Sequence, residues 1–179
     1  MLWLMLTYAA SMGEGGAGHV ATAQSDPYLM TYVSGWGFQK GDVGVVARDA
    51  LGNALGAAWL RLGGGGGQFK LSDDDVPELA TAVIPAARGQ GVGTALMQRL
   101  IALATPHFRR IVLSVRQENP AVPFYSRLGF QALSTMKNRV GGDSLVMALN
   151  LAPPRDFTIH PVAKTKVLDV ELEHLLKVV

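Results

Sequence analysis

The chain contains no cysteine, and that absence removes several kinds of chemistry at once. Disulfide frameworks, thiol nucleophiles and thiolate metal sites are all excluded. Histidine is also scarce, with four residues that lie far apart and without the spacing of metal ligands. These are His19, His107, His160 and His174. We therefore expect no metal site.

Charge is sparse as well. Charged residues make up 17% of the 179 positions, and the formal net charge is +2. Such a small excess gives no reason to expect attraction to nucleic acid or to a membrane surface. Because hydrophobic residues reach 49%, the chain is globular, and its length suits one domain with a sizeable core.

Long apolar runs are missing too. The N-terminal stretch 1–6 is apolar but short, whereas a membrane-spanning helix needs about 20 apolar residues. It also lacks the basic start and the longer apolar core of a secretory signal. We therefore expect a cytoplasmic protein.

The chain does contain a glycine-rich segment, Arg88–Gly93, between an apolar run at 79–84 and a helical pattern at 94–101. A strand, a tight turn and a helix in that order predict an anion site. The first amides of a helix lack partners within the helix, and the helix dipole favours negative charge there. Glycine lets a phosphate approach the backbone closely. The segment therefore predicts a phosphate-bearing ligand.

The glycine spacing narrows the choice of ligand. Glycines at 89, 91 and 93 read G-x-G-x-G, whereas a dinucleotide fingerprint reads G-x-G-x-x-G. The segment continues Gly93-Thr94-Ala95 and lacks the lysine of a nucleotide P-loop. Both nucleotide interpretations are weakened. Taken alone, the segment also fits a turn that binds no ligand.

A second segment favours the ligand-binding interpretation over a turn that binds no ligand. Residues 119–130 follow an apolar strand pattern at 111–115 and carry Asn119, then Tyr125, then Leu-Gly-Phe at 128–130. Asparagine, a short helix with a tyrosine, and Leu-Gly-Phe is the second signature of the GNAT N-acetyltransferase family, which the chain resembles.

The first signature of that family, Q/R-x-x-G-x-G/A, is met by Arg88, Gly91 and Gly93. The distance between the two signatures, one helix plus one strand, also fits. The resemblance covers about residues 1–150 and is most specific at 78–130. It implies an α/β (α+β) GNAT fold, with a central, mixed, mostly antiparallel twisted sheet flanked by helices.

The resemblance also implies a reaction, the transfer of an acetyl group from acetyl-CoA to a primary amine of a small molecule or peptide. The donor pyrophosphate would bind the amides of the glycine-rich segment, and the pantetheine arm would pair with the strand before it. The implied donor-binding residues are Thr81, Ala82, Val83, Arg88, Gly89, Gln90, Gly91, Val92, Gly93, Thr94 and Asn119. Arg88 has a salt bridge as its alternative role, and Asn119 has a helix cap.

Tyr125 matches the family's general acid. A phenol with a pKa of about 10 is close enough to a thiol with a pKa of about 8.5 to donate a proton to it. The alternative for Tyr125 is a packed helix aromatic. Glu78 is the candidate general base, directly or through water, with a structural or solvent-facing role as the alternative. Some members carry a second glutamate, but this chain has Ser114 in that region.

The C-terminal part departs from the family pattern. Pro153-Pro154 marks a boundary between a domain at 1–151 and an extension at 152–179. The family opens with a strand and a helix, and residues 2–10 resemble only the second half of that helix. We expect a strand at 157–162 and then an amphipathic helix carrying Leu168, Leu172, Leu175, Leu176 and Val179.

We hypothesise that the 157–162 strand pairs with a strand at 42–48, within one chain or by exchange in a homodimer. The alternative is an added amphipathic helix that packs on the domain or forms a dimer contact. Acceptor specificity is assigned to residues 11–40 and 63–76. A non-catalytic acyl-CoA-binding or regulatory domain is the alternative to an enzyme, because the general base is uncertain.

Overall fold

A computed structural model of the chain describes residues 1–10, 15–63, 76–151 and 171–176. Within those ranges no helix has the length and apolar character needed to cross a membrane. The helices are α1 (Leu2–Ala9), α2 (Val20–Ser25), α3 (Pro27–Val33), α4 (Val92–Ala104) and α5 (Val122–Arg127). The strands are β1 (Val43–Arg48), β2 (Ala54–Arg61), β3 (Glu78–Val83), β4 (Arg110–Arg116), β5 (Gln131–Lys137), β6 (Asp143–Asn150) and β7 (Glu171–Leu176).

The strands form one sheet in the order β5-β6-β4-β3-β2-β1-β7. Only β3 and β4 are parallel, and every other neighbouring pair runs antiparallel. The predicted mixed, mostly antiparallel sheet is confirmed. The parallel pair lies in the middle of the sheet. The two strands can run in the same direction because α4 carries the chain back from the end of β3 to the start of β4.

Helices cover both faces of the sheet, and side-chain alternation along β3 separates the two cores. Leu79 packs in the core that contains Leu96 of α4. Ala80 packs in the opposite core with Met5 of α1 and Trp59 of β2. Small residues on β3 therefore let α1 lie close to the sheet.

The start of α3 follows the predicted capping pattern. The carboxylate of Asp26 accepts hydrogen bonds from the amides of Tyr28 at 2.8 Å and Leu29 at 3.3 Å, and Pro27 occupies the first turn. These contacts satisfy amides that the helix itself leaves without partners. The direction of α3 over the sheet is therefore fixed at its first residue.

The C-terminal strand corrects one prediction. Residues 171–176 form β7 and pair with β1 from Val43 to Arg48, so the helix predicted over these residues is wrong. β2 occupies the other edge of β1, so the C-terminal strand that pairs with β1 is 171–176, where the sequence predicts 157–162. Residues 157–162 themselves lie outside the described part of the chain, as do most of 63–76. Residues 171–176 form a strand despite the helical spacing of their leucines, because the edge of β1 offers them a full row of backbone hydrogen-bond partners.

Candidate active site

The two parallel strands separate shortly after they meet. Glu78 pairs with Val112, whose amide donates to the carbonyl of Pro77 at 3.1 Å, and among the described residues no further β3–β4 pair follows. Each of the other strand pairs of the sheet runs for six or seven registered positions. The divergence opens a cleft in the middle of the sheet.

The backbone of β3 presents alternate residues to this cleft. The amide of Ile84 donates to the carbonyl of Leu55 on β2 at 2.9 Å. Backbone groups alternate between the two edges of an antiparallel strand, so Ala82 also turns towards β2. Thr81 and Val83 then direct their backbone groups towards β4 and the cleft. Of the three β3 residues assigned to the pantetheine arm, these two have the suitable orientation.

The glycine-rich segment connects β3 to α4 as the sequence predicts. Gly89 and Gly91 adopt φ values of 74° and 82°, a region that side chains disfavour. Gly91 is the N-cap of α4, and no side chain caps the helix. The first turn also contains no acidic residue. Its amides are therefore available to an anion.

The polar side chains of this segment bind nearby backbone. Nε of Arg88 donates to the carbonyl of Val83 at 3.2 Å, and Nε2 of Gln90 donates to the carbonyl of Ala86 at 2.8 Å. Among the described residues Arg88 has no ion pair, so the alternative of a salt bridge is not realised there. The guanidinium is exposed and keeps the rest of its donors for solvent or a ligand.

A cavity of about 450 Å³ lies on the face of the sheet covered by α1 and α3. Its wall includes the start of β3, the end of β4, α3, Tyr125 of α5 and the turn between β5 and β6. Glu78 and Tyr125, the two residues predicted to carry proton transfer, both line it. Asn119 lines it as well.

Glu78 is buried, with 4% of its surface exposed, which excludes the solvent-facing alternative. Its Oε1 accepts a hydrogen bond from the hydroxyl of Tyr32 at 2.5 Å. Its Oε2 is buried and has no partner among the described residues. Burial raises the pKa of Glu78 to about 7, against the opposing effect of the Tyr32 hydrogen bond. A carboxyl with that pKa can both accept and release a proton near neutrality.

A chain of contacts extends from Tyr32 to the cavity rim. The hydroxyls of Tyr32 and Tyr28 lie 3.1 Å apart. Arg139, in the turn between β5 and β6, lies 4.5 Å from the centre of the Tyr28 ring and holds both carboxylate oxygens of Asp26 at 3.1 and 3.2 Å. The Arg139 hydrogen bond is the main reason that the pKa of Asp26 falls below its usual value. This cluster joins α3 to the β5–β6 turn across the cavity.

Tyr125 packs its ring against Phe130 at 5.8 Å and Phe124 at 5.5 Å. Burial raises its pKa to about 12. The phenol is therefore protonated at neutral pH. This pKa lies further from that of a thiol, about 8.5, than the ordinary phenol pKa of about 10 does. Its hydroxyl has no hydrogen-bond partner within the described ranges, so it is free to donate to a ligand.

Asn119 begins the turn into α5. Its Oδ1 accepts from the amide of Ala121 at 2.8 Å, and its carbonyl accepts from the amide of Val122 at 3.0 Å. The N-cap of α5 is Ala121 and no side chain caps the helix, so Asn119 stabilises the turn before α5 and the helix-cap alternative is not realised. The side-chain NH₂ group takes no part in these bonds.

Several polar cavity residues are not indicated by the sequence motifs, among them Tyr32, Arg116 and Arg139. The spacing of Tyr28 and Tyr32 on α3 places them on one helical face, which was the available signal. Nothing local in the sequence connects Arg139 with Asp26, which lies in a distant part of the chain. Within the described ranges there is no group of histidines or acidic residues suited to hold a metal ion.

The order of strands, the central cleft and the glycine-rich helix start define the class of the fold, which is that of the GNAT acetyltransferases. A family model described as an acetyltransferase (GNAT) domain matches residues 40–132, more than half of the chain. The chain therefore belongs to the GNAT acetyltransferase family. No curated protein matches it by sequence.

Solved structures support the same fold. A GNAT-family acetyltransferase from Bordetella pertussis matches with a TM-score of 0.63 at 22% identity, over 82% of this chain and 86% of that one. A GCN5-related N-acetyltransferase from Kribbella flavida matches with a TM-score of 0.55 at 28% identity, over 70% and 79%.

A more limited likeness is to an acetyltransferase from Salmonella typhimurium, solved with its cofactor acetyl-CoA. The TM-score is 0.48 at 26% identity, over 56% of this chain. The match spans 60% of that protein, less than two thirds of its length.

Proposed function

We propose that the protein transfers an acetyl group from acetyl-CoA to a primary amine of a small molecule or peptide. The observation that carries the proposal is one cavity, at the divergence of β3 and β4, lined by both Glu78 and Tyr125. Family membership supplies the donor class, and the uncapped start of α4 offers amides for the donor pyrophosphate.

The donor would lie across the cleft, with its pantetheine amides paired to the backbone of Thr81 and Val83. Its pyrophosphate would meet the amides that follow Gly91, and Arg88 would extend towards a phosphate. Glycines stand on both sides of Val92, the first residue of α4. Neither Gly91 nor Gly93 therefore places a side chain beside these amides.

In the reaction, the amine nitrogen attacks the thioester carbonyl, a C–N bond forms and the C–S bond breaks. Glu78 accepts the proton that the amine loses. Its Oε2 is buried and has no partner among the described residues, so a bridging water is the expected link between this oxygen and the amine. Tyr125 donates its proton to the departing thiolate of coenzyme A and is reprotonated from solvent.

The test is an acceptor screen with purified protein and acetyl-CoA, read by mass spectrometry of the acetylated product. Acetylation of an amine, with turnover strongly reduced in Glu78→Gln and in Tyr125→Phe, supports the proposal. Binding of acetyl-CoA without turnover of any amine would instead favour the acyl-CoA-binding alternative. The homodimer and the cytoplasmic location stay predictions, and light scattering of the purified protein tests the former.

A further inference from the structure

We propose that the acceptor is an amine whose molecule also carries a carboxylate, and that Arg116 binds this carboxylate. The inference rests on the proposed function and deepens it, because it names the class of acceptor. It arises from the way in which charges are distributed around the cavity.

Arg116 lies on the same face of the sheet as Glu78. Ile111, Leu113 and Val115 of β4 pack in the core under α4. Alternation along the strand therefore turns Ser114 and Arg116 to the opposite face, where Glu78 meets Tyr32. Both side chains line the cavity.

In the part of the chain that the structure describes, two arginines line the cavity, and they differ in their partners. Arg139 is held by the carboxylate of Asp26, so its charge is already balanced. Arg116 has neither an ion pair nor a side-chain hydrogen bond among the described residues. It is partly buried, and a guanidinium in such a place gains most from a carboxylate that it can hold with two parallel hydrogen bonds.

The surroundings of Arg116 suit an anion. Its neighbour across the β4–β6 pair is Ser144, which is buried and lines the cavity, and Ser114 is the preceding residue on the same face. Hydroxyl groups donate readily to a carboxylate. No acidic residue other than Glu78 and the paired Asp26 lines the cavity among the described residues.

The two charged groups belong to different strands that line the cavity. Glu78 on β3 lies beside Val112 on β4. Arg116 follows Val112 along β4, and at the usual rise per residue the two lie about 13 Å apart. Both side chains are long enough to shorten that distance. An acceptor that carries both an amine and a carboxylate complements both groups, as an amino acid would.

The experiment compares matched acceptors that differ only in the carboxylate, such as tyrosine, tyrosinamide and tyramine, and the same series for lysine. Release of coenzyme A is followed with a thiol reagent, which meets no background because the protein has no cysteine. We expect kcat/KM to be at least tenfold higher for the acid than for its amide at one pH, after correction for the amine pKa of each acceptor.

Arg116→Gln should remove most of that preference, and Arg116→Lys should retain part of it. Arg109→Gln is the matched control, because Arg109 is exposed and precedes the same strand without lining the cavity. The KM for acetyl-CoA should not change in Arg116→Gln. A rise in that KM would assign Arg116 to the donor and overturn the inference.

Equal losses for acids and amides in Arg116→Gln would also overturn it, as would a wild-type preference for the decarboxylated amines. Either result leaves the acetyl transfer itself intact. If no amine is acetylated, the proposed function fails, and calorimetry of amino acids with the coenzyme A complex decides the inference alone. Binding that is lost in Arg116→Gln supports it, and no binding by the wild type overturns it.

Discussion

The hydroxyl of Tyr32 donates a hydrogen bond of 2.5 Å to Oε1 of Glu78, and the two residues are brought together from α3 and β3. The bond occupies one carboxylate oxygen and fixes the direction of the other. It also stabilises the charged form of a carboxyl that burial would otherwise keep neutral. The acidity of the proposed general base therefore depends on a tyrosine from a different element.

Replacing Tyr32 with phenylalanine should change the pH dependence of the reaction. In the wild type, kcat/KM should rise with pH around the Glu78 pKa of about 7 as the carboxyl loses its proton. Without the Tyr32 hydrogen bond that pKa rises further, so the limb moves to higher pH. A charge-assisted hydrogen bond contributes about 1.5 kcal/mol, which corresponds to about one pH unit.

The pH–rate profiles of wild type, Tyr32→Phe and Tyr8→Phe provide the measurement. Tyr8 belongs to α1 and does not line the cavity, so its variant should keep the wild-type midpoint. A Tyr32→Phe profile that loses amplitude at an unchanged midpoint would contradict the electrostatic role and leave only a packing role.

The same carboxyl should make the folded protein less stable as pH rises. In the unfolded chain Glu78 ionises near its ordinary value of 4.5, and in the folded protein its pKa is about 7. Between these values the folded state binds more protons, so the free energy of unfolding falls as pH increases. The fall from this group is about 3 kcal/mol and is complete above the folded pKa.

Glu78→Gln should lack that fall. The quantity to measure is the difference in unfolding free energy between variant and wild type, from urea titrations at pH 5 and pH 8. This difference should favour the variant more at pH 8 than at pH 5. Parallel curves for the two proteins would mean that Glu78 ionises normally in the folded state.

The sequence predicted those parts of the fold and site whose signals are local. The turn at Gly89 to Gly91 and the cap at Asp26 depend on neighbouring residues, and both are present as expected. Tyr32 could not be assigned, because its meeting with Glu78 depends on how α3 packs over the sheet. The leucine spacing over 171–176 predicts a helix, although Leu172 between Glu171 and Glu173 also has the alternation of the strand that forms there.

Removal of the Tyr125 hydroxyl should affect the chemical step more than donor binding. In Tyr125→Phe we expect kcat to fall by about 10²-fold or more, since a positioned proton donor contributes about 10²- to 10⁴-fold. The ring contacts with Phe124 and Phe130 remain, so folding should be little changed. Stopped-flow single turnovers and acetyl-CoA calorimetry separate the two effects, and an unchanged kcat would exclude a proton-donor role.

The backbone at the start of α4 can be tested by substitution at Gly91. Gly91 has a φ of 82°, and a Cβ added there would meet no atom within 4 Å. Gly52, in the turn between β1 and β2, has a φ of 83° and equally open surroundings. Alanine should therefore impose about the same backbone cost at both sites, about 1–2 kcal/mol.

The two variants should differ in their affinity for acetyl-CoA. Gly91→Ala places a methyl group beside the amides proposed to hold the pyrophosphate, and should weaken binding of acetyl-CoA by about tenfold or more, the loss of about one charge-assisted hydrogen bond. Gly52→Ala, far from that helix start, should keep wild-type affinity. Calorimetry with acetyl-CoA and with pantetheine, which lacks the phosphates, completes the comparison. Because the added methyl group lies beside the phosphate site, Gly91→Ala should weaken the binding of acetyl-CoA and leave the binding of pantetheine unchanged. Equal losses of affinity for both ligands would show that the variant disturbs the cleft as a whole.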